Sequence, residues 1–192
     1  MRVIAGSARG RRLRCFKDRR IRPTSDRVTE AVFSSLMLRL PGSRVLDLFA
    51  GSGALGIEAL SRGAGAVLFV EKDRQACDLI RGNLAACGLE PAAVRIIQQD
   101  AILWLRAAAG GQAGERLQYD IILADPPYQN GYEEAILSLP EVGELLSPRG
   151  ILVLESGARQ VLPECSGGLF QYKRKTYGDT KISYYTVGVP AE

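Results

Sequence analysis

The stretch that decides the fold is Arg44-Val-Leu-Asp-Leu-Phe-Ala-Gly-Ser-Gly-Ala-Leu-Gly56. Its first half is a short apolar run, typical of a buried strand, and its second half is a Gly-rich turn that leads into helix-forming residues. Gly51, Gly53 and Gly56 have the G-x-G-x-x-G spacing, whose glycines permit positive φ, close approach of a ligand and close packing of helix on strand. The stretch therefore predicts a strand, a tight turn and a helix N-terminus that bind a nucleotide cofactor.

Two carboxylates indicate which cofactor. Asp47 ends the predicted strand, where it would repel the pyrophosphate of a dinucleotide. It would instead favour a ligand with an ammonium and a sulfonium group beside an adenosine, which is S-adenosylmethionine. Glu71 ends the next apolar run and can accept both ribose hydroxyls of either cofactor. The alternative is that Asp47 only caps the turn and that Glu71 is an exposed strand end.

Length and composition favour one soluble domain. The chain has 192 residues, 46% of them hydrophobic, which is enough to bury a core without disulfides. It has neither a run of about 20 apolar residues nor a signal-peptide h-region, so we expect a cytoplasmic protein. The four cysteines, Cys15, Cys77, Cys87 and Cys165, lack C-x-x-C spacing and are expected to be reduced thiols that are mostly packed.

The absence of histidine limits the reactions that the protein can catalyse, and the charge is unevenly distributed along the chain. The sequence contains no histidine, so the reaction must need neither the commonest general base nor the commonest transition-metal ligand. Residues 1–27 hold ten Lys or Arg and two Asp, a net charge of +8, whereas residues 28–192 have a net charge of −4. The basic character is therefore an N-terminal feature.

The N-terminal residues 1–22 are dense in arginine. Gly6 and Gly10 bracket a turn, which favours a small β-hairpin extension over a helix. Arginine suits phosphate backbones through bidentate contacts and counterion release. The alternative is a solvated charged tail. Residues 23–192 would then form the main domain.

The remainder of the chain alternates strand and helix patterns. Thr24 or Ser25 can cap a helix whose apolar face is Val28, Val32, Phe33, Leu36 and Leu40. Further patterns predict strands at 66–71, 94–98, 119–124 and 151–155, helices at 74–87, 100–109 and 133–146, a turn at 147–150, and a closing hairpin at 169–187 around 177–180. Repeated βαβ units predict an α/β fold with a mostly parallel sheet and helices on both faces.

Asp125-Pro-Pro-Tyr128 follows the predicted strand 119–124. Two prolines fix the backbone and leave carbonyls that no neighbouring N–H can bond, at the sheet edge where ligands bind. Asp125 adds a carboxylate, and Tyr128 adds a flat ring on which a base can stack. The alternative is an ordinary proline-rich turn with Tyr128 packing against it.

Together these features resemble the S-adenosylmethionine-dependent amino-methyltransferases. Within that group, the Arg-Gly-Arg-Arg-Leu segment, Arg22-Pro-Thr-Ser-Asp-Arg-Val, residues 50–63 and Tyr177-Gly-Asp-Thr resemble the RsmD family. The resemblance implies a Rossmann-like class I methyltransferase fold with a seven-stranded sheet whose last strand is antiparallel. It also implies methylation of N2 of one guanine in bacterial 16S rRNA, within an assembled or assembling small ribosomal subunit, with neither a membrane nor a metal involved. Ser25 stands where a second threonine is expected, which keeps the hydroxyl.

The resemblance also implies residue roles. Asp47, Gly51 and Gly53 would hold the methionine end, Glu71 the ribose, and Asp100 with Ala101 the adenine edge. Phe49, Ala50, Lys72 and Asp125 complete the implied cofactor set. Asp125, Pro126, Pro127 and Tyr128 would hold the target base as the catalytic motif. The RNA-binding set is Arg9, Arg11, Arg12, Arg14, Arg22, Thr24, Arg27, Lys173 and Lys175.

Three alternatives stay open from the residues alone. A DNA adenine-N6 or cytosine-N4 methyltransferase shares the four-residue motif but usually needs an added recognition region. A catalytically silent RNA-binding module would keep the fold, although intact Asp47, Glu71 and Asp125 argue against it. A nicotinamide oxidoreductase is disfavoured by Asp47.

Overall fold

The computed structural model describes residues 1–16, 26–89, 94–109, 118–127 and 131–188. Within them the helices are α1 (Asp26–Leu36), α2 (Ala54–Ser61), α3 (Arg74–Cys87), α4 (Ala101–Ala109), α5 (Tyr132–Ser138) and α6 (Pro140–Leu145). The strands are β1 (Arg44–Leu48), β2 (Ala66–Glu71), β3 (Val94–Gln98), β4 (Tyr119–Ala124), β5 (Leu146–Gly157), β6 (Cys165–Ser166), β7 (Leu169–Tyr177) and β8 (Thr180–Val187). None of the helices in these ranges is long and apolar enough to cross a membrane.

The strands form one sheet in the order β3-β2-β1-β4-β5-β8-β7-β6. Strands β1 to β5 pair in parallel, whereas β8 runs antiparallel to both β5 and β7. Both arms of the predicted closing hairpin therefore enter the sheet. The prediction of seven strands is short by one, because the two-residue β6 adds to the edge beside β7. A strand of two residues is too short to show the alternation of apolar and polar residues by which strands are predicted from sequence.

Helices cover both faces of the sheet, as predicted. On one face α1, α2 and α3 pack on a first core, which contains all five apolar residues predicted for the first helix. On the other face α4, α5 and α6 pack on a second core that includes Trp104 and Leu105. Because β1 to β5 are parallel, their carboxyl ends lie along one edge of the sheet, where ligands bind in this architecture.

Two local predictions are wrong. The helix predicted over 133–146 is split, because Pro140 starts α6 and forces Leu139 into an extended conformation with ψ 112°. The turn predicted at 147–150 is part of β5, which pairs at Leu146 with Tyr119 and resumes at Ile151 opposite Ile121. Four residues of β5 thus bulge opposite Asp120, whose carboxylate accepts from the Ser147 hydroxyl and the Arg44 amide.

Residues 1–16 form a hairpin-like turn closed by one antiparallel bridge, Arg2 to Arg12. Backbone bonds between Val3 and both Gly10 and Arg11 hold its two arms together. Val3, Ala8 and Leu13 are buried in the first core. This N-terminal hairpin is therefore packed on the domain through its apolar residues, while its arginine side chains remain exposed.

Candidate active site

The carboxyl edge of the sheet gathers the predicted carboxylates. Asp47 lies near the end of β1, Glu71 ends β2, and Asp125 follows β4. Burial raises the pKa of Asp47, and the nearby charges of Asp125 and Glu71 raise it further. The order β2-β1-β4 thus brings together three acidic residues that are far apart in sequence.

Asp47 is a buried carboxyl with a role in the fold. It is 1% exposed, and its Oδ2 accepts from the backbone N–H of Gly56 at 2.9 Å. Burial, followed by the charges of Asp125 and Glu71, raises its pKa well above the ordinary 3.8, against the opposing hydrogen bond from Gly56. The capping role weighed from sequence is therefore present. The raised pKa also means that the ionised carboxylate is costly here unless a cation approaches it.

Glu71 ties the Gly-rich turn to β2. Its Oε2 accepts from the Gly51 N–H at 2.8 Å and its Oε1 from the Asp73 N–H at 2.9 Å. Each carboxylate oxygen retains capacity for a further hydrogen bond. The side chain is partly exposed, so it is held in place while it remains accessible to a ligand.

The glycines of the turn have different tasks. A Cβ on Gly56 would lie 2.3 Å from Phe69 Cε1, so this glycine permits α2 to pack closely on β2. Gly53 has a φ of 79° at the start of α2, which favours glycine. Gly51 has a φ of 53°, and its nearest neighbour to a built Cβ is the Phe49 oxygen at 3.9 Å. The backbone at Gly51 is therefore open to a ligand.

Phe49 adopts a strained conformation at the same edge. Its φ of 57° is the only positive value of a non-glycine residue in the described ranges. Strand alternation would put its side chain on the face of Asp47, yet the ring packs against the second core and lies 5.0 Å from the Tyr132 ring. The positive φ accompanies the turn of this large side chain away from the face of Asp47, and residues in such strained conformations cluster at functional sites.

The predicted adenine residues follow β3. Asp100 caps α4, because its Oδ1 accepts from the N–H groups of Ile102 and Leu103. Ala101 is buried at 4% exposure. The backbone N–H of Gln99 donates to the Glu71 carbonyl at 3.0 Å, which fixes this turn beside β2.

The remaining predicted site residues are distributed around the edge. Ala50 is buried and donates its N–H to the Val70 carbonyl, and Lys72 is exposed. Asp125 is half-buried, Pro126 buried and Pro127 exposed. Tyr128 lies outside the described residues.

The predicted RNA-binding residues fall into two groups. Arg9, Arg11, Arg12, Arg14 and Arg27 are exposed on the N-terminal hairpin and α1, and Lys173 and Lys175 lie on β7. Lys173 Nζ lies 4.6 Å from the centre of the Tyr184 ring. Arg22 and Thr24 lie outside the described residues.

Two supporting residues were missed from sequence. The buried Glu58 accepts from the N–H groups of Ile4 and Ala5 and pairs with Arg62 Nε at 2.6 Å. Asn83 accepts from the Arg14 N–H and donates to both the Arg14 and Ser52 carbonyls. Asn83 thereby connects the N-terminal hairpin to the Gly-rich turn. The signal in the sequence for both residues is that Glu58 and Asn83 are polar residues on the apolar faces of α2 and α3.

Comparison with known proteins identifies the family. The model of the family described as "Conserved hypothetical protein 95", the RsmD family, matches residues 1–186. The Bacillus subtilis protein YlbH is 40% identical over 185 residues, which cover 96% of this chain and 98% of that protein. The chain belongs to the RsmD family.

Two further similar proteins support the assignment to the RsmD family. Ribosomal RNA small subunit methyltransferase D of Escherichia coli K12 is 32% identical over 185 residues, covering 96% of this chain and 89% of that protein. The solved structure of the Escherichia coli methyltransferase yhhF has a TM-score of 0.80 at 32% identity and covers 96% of each chain. These likenesses confirm the predicted Rossmann-like methyltransferase fold.

Proposed function

We propose that this protein transfers a methyl group from S-adenosylmethionine to the exocyclic N2 amine of a guanine in 16S rRNA. The observation that carries the proposal is the meeting of Asp47, Glu71 and Asp125 at one edge of a methyltransferase sheet, in a member of the RsmD family. The name of the Escherichia coli relative, ribosomal RNA small subunit methyltransferase D, supports the substrate. A more distant neighbour, 18% identical, was solved in complex with SAH and supports the cofactor class.

The edge fits S-adenosylmethionine chemically. Asp47 would supply negative charge to the positive groups of the cofactor and Glu71 would accept its ribose hydroxyls, while the open backbone at Gly51 would permit close approach. Phe49, Ala50 and Gly53 would complete the methionine end, and Lys72, Asp100 and Ala101 the nucleoside end. When bound, the cofactor supplies a methyl group already activated by its sulfonium.

The chain's own contribution is to hold the amine. The lone pair of the guanine N2 is delocalised into the ring, so it must be oriented and its developing charge stabilised. The carboxylate of Asp125 and the carbonyl of Pro126 would accept hydrogen bonds from the two N–H groups of the amine as its nitrogen becomes tetrahedral. After transfer the extra proton leaves to Asp125 or to water, so Asp125 is first an orienting acceptor and second a base. Pro127 keeps this backbone rigid.

The base must leave its stack to reach this edge, and Tyr128 would stack on it. The exposed arginines Arg9, Arg11, Arg12 and Arg14 would bind phosphates around the target, together with Arg27 and the β7 lysines. Arg22 and Thr24 extend this proposed set. We place the activity in the cytoplasm, on an assembled or assembling small subunit.

The DNA methyltransferase alternative is less well supported. In the described part of the chain after Pro127, α5, α6 and β5 to β8 all complete the one domain. No separate recognition region is formed by these residues.

Mapping of modified nucleosides tests the function. Total rRNA from a strain of the source organism lacking the gene, and from the same strain with the gene restored, is digested and analysed by mass spectrometry. We expect one N2-methylguanosine in 16S rRNA to disappear and return. An unchanged set of N2-methylguanosines would refute the proposal.

A further inference from the structure

A fourth carboxylate lies beside the proposed catalytic motif. The parallel pairing of β4 with β5 ends at Ala124 and Leu154, and the next residues are Asp125 and Glu155. Neighbouring strands lie about 4.8 Å apart, so these two acidic residues occupy neighbouring positions on adjacent strands. Glu155 pairs with Ile182 of β8, which lies in the first core. Alternation therefore puts the side chain of Glu155 on the face that carries Asp47.

Glu155 is held rather than solvated. It is 7% exposed, although glutamate is rarely buried without a partner or a task. Glu155 and Asp125 each also interact with other groups of the chain. The methyl-transfer steps described above make no use of Glu155.

Guanine has the chemistry to use both carboxylates. Its N1–H and its N2 amine are adjacent donors on one edge of the ring. Adenine and cytosine carry no N–H at the corresponding ring nitrogen, which is an acceptor in both. An acceptor aligned with N1 would thus favour guanine and would be repelled by the lone pair of the other bases.

We propose that Glu155 determines specificity by accepting the N1–H of the target guanine while Asp125 accepts from the N2 amine. The assignment rests on the proposed function, and it adds the group that reads the base. It does not require Glu155 to take part in the transfer itself.

The test uses 2-aminopurine, which keeps the N2 amine but has an acceptor at N1. The substrates are 16S rRNA fragments with either guanine or 2-aminopurine at the mapped position, and kcat/KM is measured for each with the full-length protein. Wild type should prefer guanine by about 10- to 100-fold, the size of one charged hydrogen bond. Glu155→Gln should lower the guanine value and raise the 2-aminopurine value, because an amide can donate to N1, so the ratio should move toward one.

The outcomes separate the two claims. Glu164→Gln, an exposed carboxylate near Arg174, is the matched control and should leave the ratio unchanged. If Glu155→Gln does not fold, Glu155→Asp should lower the guanine value about 10-fold or more and spare 2-aminopurine, because the carboxylate is withdrawn by one methylene. Equal losses on both substrates would overturn the role of Glu155. A wild-type protein that forms no N2-methylguanosine would instead overturn the proposed function, and this assignment with it.

Discussion

Asp47 accepts a hydrogen bond from the backbone N–H of Gly56 at 2.9 Å, which joins the end of β1 to the first turn of α2. The same carboxyl is 1% exposed and lies near the negative charges of Glu71 and Asp125. It therefore supports the fold with one oxygen while its ionised form is costly. A bound cation would offset that cost.

Asp47→Asn should stabilise the ligand-free protein. Because the pKa of Asp47 is raised by burial, its contribution to stability is full below the ordinary value of 3.8 and is lost as pH rises through the folded value. Asparagine keeps an oxygen for Gly56 and removes the charge. Scanning calorimetry at neutral pH should show Tm higher by 2–4 °C, which corresponds to about 1 kcal/mol.

The control for this substitution is Asp120→Asn at the opposite end of the sheet. Asp120 accepts from Arg44 and Ser147, so its substitution should not raise Tm. A fall in Tm for Asp47→Asn would mean that the charged cap outweighs the cost of burial.

Cofactor binding should release a proton at Asp47. A sulfonium or ammonium group beside the carboxyl would lower its pKa, so affinity for S-adenosylmethionine should rise as pH increases through the raised pKa of the ligand-free protein. Titration calorimetry in buffers of different ionisation enthalpy measures the proton count. Asp47→Asn should bind more weakly and show no such release. An identical proton count in both proteins would assign the linkage to another group.

Asp125→Ala should separate chemistry from cofactor binding. We expect a methylation rate lower by about 10²-fold or more, as for loss of one preorganised polar group, and a much smaller loss of affinity for S-adenosylmethionine. Single-turnover rates and calorimetry on the same preparation provide the comparison. Equal losses in affinity and rate would mean that Asp125 only maintains the site.

Charge reversal at Arg11 and Arg12 should weaken RNA binding and flatten its dependence on salt. Each lost phosphate contact removes about 0.7 to 0.9 from the slope of log affinity against log salt. The matched control reverses the exposed Arg95 and Arg106 on β3 and α4. Binding of small ribosomal subunits across a salt series is the measurement, and superimposable curves for the two double variants would exclude the N-terminal hairpin as the RNA contact.

Glu58→Ala should destabilise the whole domain. It removes the acceptor of the Ile4 and Ala5 amides and a partner of Arg62, which should lower the free energy of unfolding by about 3 kcal/mol. Glu30 pairs with the same Arg62, but its side chain is 49% exposed. Glu30→Ala should therefore cost less than about 1 kcal/mol. Urea unfolding followed by circular dichroism compares them, and similar losses would contradict the structural role of Glu58.

Much of this architecture was predictable because the signals are local and periodic. The strand, turn and helix from Arg44 to Ser61 and the hairpin around Gly178 follow from apolar runs and glycine placement. The break at Pro140 and the bulge opposite Asp120 depend on how β5 meets β4 in space, which short-range patterns do not encode.

The carboxylates of the site were easier to predict from the sequence than the contacts that hold the site in shape. The sequence predicts that Asp47, Glu71 and Asp125 belong to the site because each ends or follows an apolar run. The positive φ of Phe49, its contact with Tyr132 and the bridge from Asn83 to Ser52 arise from tertiary packing across long sequence distances. The position of Glu155 beside Asp125 likewise depends on strand register.

The central claim is that this carboxylate edge directs a methyl group to a guanine amine. Its most direct test is incubation of purified protein with trideuteromethyl S-adenosylmethionine and unmethylated small subunits, followed by mass spectrometry of the nucleosides. We expect the label in N2-methylguanosine alone, at one 16S position, and much slower incorporation of the label with Asp125→Ala. Label in adenosine or cytidine, or undiminished label with Asp125→Ala, would contradict the account.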